Sequence, residues 1–256
     1  AGKTSAFLPA LLPSTSCRET WGTGTILPKS TAPATGMPPT GASSASIVGE
    51  SGVGKTSCIQ RTVDLLGPVI QTDQPLQHVI PALVVQCPFD ANYKQLLLTI
   101  LARIDEALGS NYYEKTQRSN YNAQQILVLV ASLCVHHIGV LVIDEVQALM
   151  EGGVVSGNRL YRMILQLINS SGISVVFAGT NECLDFFQQN LQISRRMAGL
   201  QYKNLDYGKD FRELTETMFR YQYTRQKTEL SESLLSWLYE HTAGNVGNLQ
   251  YIFASA

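Results

Sequence analysis

The most constraining feature of the chain is a glycine-rich octapeptide at residues 49–56, which reads Gly-Glu-Ser-Gly-Val-Gly-Lys-Thr and matches G-x-x-x-x-G-K-[ST] in full. It lies between a predicted strand at 44–48 and a predicted helix at 56–66. In that context the glycines let successive backbone N–H groups turn inward around the β- and γ-phosphates of a nucleotide, and the helix adds its positive N-terminal end. The octapeptide therefore predicts a phosphate-binding loop.

Two side chains of this loop have separate predicted roles. Lys55 places a positive charge against the phosphates, and the hydroxyl of Thr56 ligates Mg²⁺. ATP and Mg²⁺ are therefore the predicted cofactors. The predicted nucleotide-binding residues are nine consecutive positions: Gly49, Glu50, Ser51, Gly52, Val53, Gly54, Lys55, Thr56 and Ser57.

The second half of such a site is expected where an apolar strand ends in an acid. Residues 140–145 read Val-Leu-Val-Ile-Asp-Glu, a continuous apolar strand of the kind that is covered on both faces. Asp144 would hold Mg²⁺ through its water shell, and Glu145 would orient and deprotonate the attacking water. The alternative is an acidic pair that caps a helix after a core strand, but the phosphate loop favours the catalytic interpretation.

Two further segments are candidates for contact with the terminal phosphate. The buried strand predicted at 173–178 leads into Thr180 and Asn181, either of which could sense the γ-phosphate or position water, unless they only form a turn. In Ser194-Arg195-Arg196, either Arg195 or Arg196 could reach a neighbouring subunit's γ-phosphate, and a solvated basic turn is the alternative.

The pattern of the remaining chain predicts an α/β fold with a doubly wound, mostly parallel sheet and a small C-terminal helical lid. Apolar stripes with helical spacing predict three more helices, and apolar runs predict three more strands, with Gly139 ending the second helix. These elements are helices at 93–108, 126–137 and 160–168 and strands at 82–86, 140–143 and 173–178. The lid is predicted to hold three helices, one with Phe211, Leu214, Met218 and Tyr221 on a single face, one capped by Ser231 and ended by Gly244, and one through Leu249, Ile252 and Phe253.

Composition divides the chain into three predicted parts. Residues 1–40 are an extended arm rich in proline, serine and threonine, 41–207 form the nucleotide-binding domain, and 208–256 form the lid. The five cysteines are scattered without a C-x-x-C motif, and there is no long apolar run, which favours a cytoplasmic protein without a membrane span.

The overall charge limits how the chain could bind nucleic acid. Its 19 Lys+Arg against 20 Asp+Glu exclude a bulk polycation, so any DNA contact must come from a local patch. The stretch 111–121, interpreted as a loop between helices, joins Lys115 and Arg118 to three tyrosines and is the candidate for contact with the DNA backbone, with Lys94 nearby. An ordinary polar loop is the alternative. Because no helix that could read base edges is recognisable in the sequence, we expect little base specificity.

The chain resembles the AAA+ P-loop NTPases in the order of its features along the sequence. These are the phosphate loop, the Asp144-Glu145 strand, the sensor strand at 173–178, the arginine pair and the helical lid. The local sequence is similar to the TnsC-type regulators of DNA transposition over about residues 43–256. This similarity is carried by LGSNY at 108–112, LVIDEVQAL at 141–149, FAGT at 177–180 and SRR at 194–196.

The resemblance implies a mechanism as well as a fold. Such regulators bind ATP between neighbouring subunits, assemble head to tail as rings or helical filaments around duplex DNA, mark a target site and recruit the transposase, and hydrolysis disassembles them. By motif position, Arg195 or Arg196 would complete the neighbour's site. Transposase, target-selection proteins, duplex DNA and further copies of the chain are the implied partners, and a bacterial, nucleoid-associated location follows.

One departure from the AAA+ pattern concerns the lid. AAA+ lids commonly carry a sensor arginine, but residues 244–248 read Gly-Asn-Val-Gly-Asn, which fits slow, switch-like hydrolysis. The alternative function is a signalling or scaffold ATPase whose nucleotide-dependent assembly ignores DNA.

Overall fold

The structure, a computed structural model, describes residues 44–71, 78–151, 153–183, 197–222 and 228–255. The predicted arm at 1–40 and the arginine pair Arg195-Arg196 lie outside these ranges. The described residues of Gly49–Arg61 and Gln201–Ala256 form one compact unit, which we call the loop–lid unit. Those of Thr25–Val48 and Thr62–Leu200 form a second, which we call the sheet unit.

Within the described ranges, six strands form a sheet with the spatial order β2-β3-β4-β5-β1-β6. The pairs β3–β4, β4–β5 and β1–β5 are parallel, and the short β2 pairs antiparallel with β3, which confirms the predicted mostly parallel sheet. The strands are β1 (Ser44–Gly49), β2 (Ile70–Gln71), β3 (His78–Gln86), β4 (Ile138–Asp144), β5 (Ser174–Gly179) and β6 (Met197–Tyr202).

The register brings the carboxyl ends of the central strands to one edge of the sheet. Gln86 of β3 lies opposite Asp144 of β4, and Val48 of β1 lies opposite Gly179 of β5. Ligands of open parallel sheets bind at this edge, so the residues that follow β1, β4 and β5 are the candidates for function.

Helices of the sheet unit pack on the central strands because their apolar stripes face the sheet. Asn92 caps the helix that begins at Tyr93, because its side chain accepts the N–H groups of Lys94 and Gln95. Asn122 forms a capping box with Gln125 at the start of the helix that begins at Ala123. The fully buried side chains of β4 and β5, among them Leu141, Ile143, Val175 and Phe177, explain why these strands are apolar throughout. These helices are α2 (Tyr93–Leu108), α3 (Tyr112–Arg118), α4 (Ala123–His137), α5 (Ala148–Glu151) and α6 (Val154–Ser171). Helix α1 (Lys55–Leu66) follows the phosphate loop, and its residues up to Arg61 belong to the loop–lid unit.

The predicted role of Gly139 as a helix end is wrong. Helix α4 ends at His137, and Gly139 already lies within β4, which begins at Ile138. A Cβ atom on Gly139 would lie 2.6 Å from the carbonyl oxygen of Pro81. Glycine is therefore present because β3 and β4 approach closely there, not because a helix stops.

The predicted loop at 111–121 is also wrong, because most of it is helix α3. Both oxygens of Asp105 accept hydrogen bonds from the start of this helix, from the N–H groups of Tyr112 at 2.9 Å and Tyr113 at 2.7 Å. The side chain of Thr116 is buried, which anchors the helix. Because the capping carboxylate belongs to the preceding helix, the sequence of residues 111–121 alone does not reveal that a helix begins there.

Three helices form the described part of the lid, as predicted. The hydroxyl of Ser231 accepts the N–H of Leu234 at 3.3 Å and is confirmed as an N-cap, and Ala243 and Gly244 leave the second helix in left-handed conformations. Tyr221, predicted on a helix face, lies beyond the helix end and is exposed. These helices, α7 (Lys209–Phe219), α8 (Glu232–Thr242) and α9 (Val246–Ser255), share a core of Phe211, Leu214, Met218, Leu235, Leu238 and Leu249. Among the described residues, no helix is long and apolar enough to cross a membrane.

Candidate functional site

The phosphate loop connects β1 to α1 with a backbone that requires glycine. Gly52 has φ +81° and Gly54 has φ +95°, values that other residues adopt only with strain. The N–H of Cys58 donates to the carbonyl of Gly54 at 2.9 Å, so helix α1 begins directly at the last loop glycine. Alternating loop conformations of this kind point successive N–H groups into one concavity, the geometry of an anion-binding nest.

The ammonium group of Lys55 stays at the loop. It donates to the carbonyl oxygens of Gly49 at 2.9 Å and Glu50 at 2.8 Å, which lie at the start of the loop. Thr56 is exposed in the first turn of α1. A positive charge and a hydroxyl are therefore available where the N–H groups of the loop and the helix N-terminus favour an anion.

Asn245 of the lid contacts the phosphate loop, a role that the sequence did not indicate. Its amide nitrogen Nδ2 donates to the carbonyl of Ser51 at 2.9 Å and to Oδ1 of Asn204 at 3.1 Å. Asn204 in turn donates to Oε2 of Glu50 at 3.1 Å. The only signal in the sequence was the position of Asn245 in the segment where a sensor arginine was expected.

Asp144 and Glu145 differ sharply in their surroundings. Asp144, at the end of β4, is 2% exposed, and its Oδ1 accepts the N–H of Glu145 at 2.9 Å. Glu145 is exposed and has φ +58°, a left-handed conformation that is uncommon for a residue with a side chain. The buried carboxylate suits a metal ligand, and the exposed one suits proton transfer with a water molecule.

Gln147 is a second residue of the site that the sequence did not indicate. Its amide nitrogen donates to Oε2 of Glu145, and its Oε1 accepts the N–H of Thr180 at 3.3 Å. Gly179 permits this approach, because a Cβ there would lie 3.0 Å from Oε1 of Gln147. Gln147 therefore links the exposed acid after β4 to the end of β5.

The predicted sensor residues carry polar atoms that need a partner. Thr180 Oγ1 and Asn181 Oδ1 are buried and make no hydrogen bond to any part of the chain that the structure describes. Buried polar atoms are nearly always paired, so an external group is expected to satisfy these two. A phosphate oxygen or a water molecule at the carboxyl end of β5 would do so.

Each of the two units offers an oxygen donor of the kind that Mg²⁺ prefers. Thr56 offers a hydroxyl in the loop–lid unit, and Asp144 offers a carboxylate in the sheet unit. The described residues contain no group of three or more His, Cys, Asp or Glu placed to hold a metal. Mg²⁺ commonly takes only one or two protein ligands together with phosphates and water.

The cysteine next to Asp144 is not suited to nucleophilic chemistry. The backbone N–H of Cys87 donates to the carbonyl of Asp144 at 2.8 Å. Burial, with smaller contributions from Cys183 and Asp90, raises the pKa of the Cys87 thiol to about 12. The thiolate is the reactive form of cysteine, so this thiol stays protonated and inert at neutral pH.

The three candidate DNA contacts lie on two helices. Lys115 and Arg118 are exposed on α3, and Lys94 is partly buried in the first turn of α2. Arg118 forms an i,i+4 ion pair with Glu114 at 2.5 Å, and Lys115 Nζ lies 5.9 Å from the ring centroid of Tyr112. Exposed pairs of this kind contribute about 0–1 kcal/mol, so a phosphate could replace Glu114 at little cost.

Comparison with known proteins gives a family match over most of the chain. The family model described as "Bacterial TniB protein" matches residues 34–206. No curated protein matches the chain.

Solved structures share the fold. The Aeropyrum pernix ORC1 protein in complex with DNA has a TM-score of 0.57 at 16% identity, over 83% of this chain and 53% of that chain. The Walker-type ATPase of Pyrococcus abyssi has 0.55 at 15% identity, over 83% and 63%. The ADP form of the A. pernix ORC2 protein has 0.52 at 17% identity, over 82% and 55%. The chain thus spans roughly half to three-fifths of the length of these proteins.

Proposed function

Because the chain belongs to the family of bacterial TniB proteins, which are TnsC-like AAA+ ATPases, we propose that it is an ATP-hydrolysing regulator of DNA transposition. In this proposal it assembles head to tail on duplex DNA, marks the target site and recruits the transposase, and hydrolysis disassembles the oligomer. The observation that carries the proposal is the phosphate loop, in which two left-handed glycines and Lys55 create a site for a polyphosphate.

In the proposed site, the phosphate loop binds and orients ATP. Backbone N–H groups of residues 50–56 donate to the phosphates, and Lys55 moves its ammonium from the loop carbonyls to the β- and γ-phosphates. Thr56 and Asp144 would hold Mg²⁺, which when bound neutralises charge on the phosphates. Burial suits Asp144 to this role because a buried carboxylate requires compensation by a cation or donors.

Glu145 is the proposed general base. Its exposed carboxylate accepts a proton from the attacking water, and Gln147 holds Oε2 of that carboxylate in position. Thr180 Oγ1 would donate to the γ-phosphate, and Asn181 Oδ1 would accept a hydrogen bond from the water, which satisfies both buried atoms. Arg195 or Arg196 of a neighbouring copy would supply positive charge to the γ-phosphate.

The proposed DNA contact uses few charges per copy. Lys94, Lys115 and Arg118 would contact phosphates of the duplex, with little base specificity. A head-to-tail oligomer repeats these groups along the duplex, so the near neutrality of one chain is no obstacle. The A. pernix ORC1 structure, a protein of the same fold in complex with DNA, is consistent with such a use of the fold. We propose that the oligomer associates with the bacterial nucleoid and contacts transposase and target-selection proteins there.

Electron microscopy and sedimentation with duplex DNA and a non-hydrolysable ATP analogue test this proposal. We expect rings or filaments that require both DNA and nucleotide, and none with Lys55→Ala. A nucleotide-loaded protein that stays monomeric on DNA contradicts the proposal. Oligomers that form equally well without DNA would instead support the nucleotide-switched scaffold ATPase.

A further inference from the structure

The start of helix α9 is interlocked with the phosphate loop in the loop–lid unit. Asn245 is only 7% exposed, and its Nδ2 donates to the carbonyl of Ser51 at 2.9 Å. Two residues later, the N–H of Gly247 donates to the carbonyl of Gly52 at 2.8 Å. The lid therefore binds two consecutive carbonyl groups of the loop.

Glycines make this approach possible on both sides. A Cβ on Gly52 would lie 2.6 Å from Oδ1 of Asn245, and a Cβ on Gly247 would lie 2.9 Å from the Cα of Gly52. Oδ1 of Asn245 also accepts the N–H of Asn248 at 3.1 Å, which fixes the amide so that Nδ2 points to the loop. The contact is thus close and its orientation is set by the lid itself.

Each of the two carbonyl groups shares a peptide unit with an N–H of the loop. The carbonyl of Ser51 belongs to the same peptide as the N–H of Gly52, and that of Gly52 to the same peptide as the N–H of Val53. A hydrogen bond to the oxygen of a peptide polarises the peptide and strengthens the N–H donor at its other end, by about 10–30% per bond. Donors from the lid thereby improve the loop as a phosphate binder.

We propose that Asn245 is the positioning residue through which the lid responds to nucleotide in the phosphate loop, an inference that rests on the proposed ATP binding. The amide acts on the loop backbone and carries no charge, in contrast to the arginine expected at this part of the lid. Coupling between two sites is reciprocal, so a nucleotide that strengthens the loop's peptide dipoles also strengthens attachment of α9.

Hydrogen exchange of the full chain, with and without a non-hydrolysable ATP analogue and Mg²⁺, tests this inference. In the unaltered protein we expect nucleotide to slow exchange in two segments, the loop at 51–54 and the helix start at 246–249. In Asn245→Ala we expect the loop to slow while the helix start no longer responds. Loss of the two Nδ2 hydrogen bonds is expected to weaken the affinity for the analogue about tenfold.

Two further variants make the test specific. Asn248→Ala is the matched control, since its side chain is exposed and only its backbone N–H contributes to the contact, so it should respond as the unaltered protein does. Asn245→Asp keeps the size of the side chain and the Oδ1 acceptor but loses the Nδ2 donor group. It replaces the alanine variant in the experiment if that variant does not fold. It should also lose the response at 246–249.

The outcomes separate the inference from the proposed function. If the loop in Asn245→Ala or Asn245→Asp slows and 246–249 still responds as in the unaltered protein, Asn245 does not couple the lid to the loop. If nucleotide leaves 51–54 unchanged in the unaltered protein, the proposed ATP binding fails and the inference fails with it.

Discussion

Replacing Gly244 with alanine tests how closely the lid is held to the strand-to-helix connection beside it. Gly244 has φ +72°, and a Cβ there would lie 1.8 Å from the carbonyl oxygen of Leu205. The N–H of Leu205 donates to the carbonyl of Gly244 at 3.0 Å, so the two backbones are already joined. A side chain at residue 244 must therefore displace backbone, because no flexible neighbouring side chain can move instead.

The expected loss of stability has three parts. The left-handed conformation costs alanine about 1 kcal/mol, loss of the Leu205 hydrogen bond about 0.5–1.5 kcal/mol, and the steric displacement about 1–3 kcal/mol. Together these predict a decrease of about 2.5–5.5 kcal/mol in the free energy of unfolding. Gly54→Ala is the matched control, since Gly54 also has a positive φ, +95°, but a Cβ there would meet nothing within 4 Å. That variant should lose only about 1 kcal/mol.

The assay is urea denaturation followed by tryptophan fluorescence. The chain has two tryptophans, so Trp21→Phe leaves Trp237 of α8 as a reporter within the lid. Both glycine variants and their parent carry this change. Equal losses in Gly244→Ala and Gly54→Ala would show that the close approach of residue 244 to Leu205 has no energetic consequence, and would refute the reasoning.

Three other predictions concern the site. Glu145→Gln should retain ATP binding but lower phosphate release at least about 100-fold, because the amide cannot accept the proton of water; normal turnover would remove Glu145 from catalysis. Thr180→Val keeps the side-chain shape and removes an unpaired buried hydroxyl, so thermal melting should be unchanged or higher while turnover falls; unaltered turnover would exclude Thr180 as the sensor. Burial raises the thiol pKa values of Cys87 and Cys134 to about 12, so alkylation monitored by mass spectrometry at pH 8 should leave both unmodified until the protein is unfolded, and rapid labelling of the folded protein would contradict this.

The parts of the fold that could be predicted from the sequence are those with a local or periodic signal. The octapeptide at 49–56 needs glycine at fixed positions, and the stripe of α2 repeats with helical spacing, so both are visible in a short window. The apolar runs of β4 and β5 are visible for the same reason. The acids after β4 and the polar residues after β5 could then be predicted as site residues, because the carboxyl ends of parallel strands lie at one edge of a sheet.

The parts that could not be predicted depend on distant partners. Helix α3 is capped by Asp105 from the preceding helix, and β3 begins at His78, before Pro81, although proline ordinarily argues against a strand. Asn245 and Gln147 are single amides to which the sequence assigns no role, and their roles exist only because a carbonyl or carboxylate lies within hydrogen-bond distance of each. Charge and glycine patterns mark a site, whereas neutral amides within it leave no pattern.

The two amides suggest how the proposed work of the site is divided. An arginine in the lid would act on the γ-phosphate itself and so would distinguish ATP from ADP directly. Asn245 instead contacts the backbone of the loop, and that loop would bind the β-phosphate, which both nucleotides carry. Attachment of the lid should therefore depend on whether the loop is filled, not on which nucleotide fills it. Discrimination between ATP and ADP then falls to the end of β5 and to Glu145, which Gln147 joins. A site organised in this way would keep its lid attached to the loop after hydrolysis, so that departure of the bound nucleotide would release the lid.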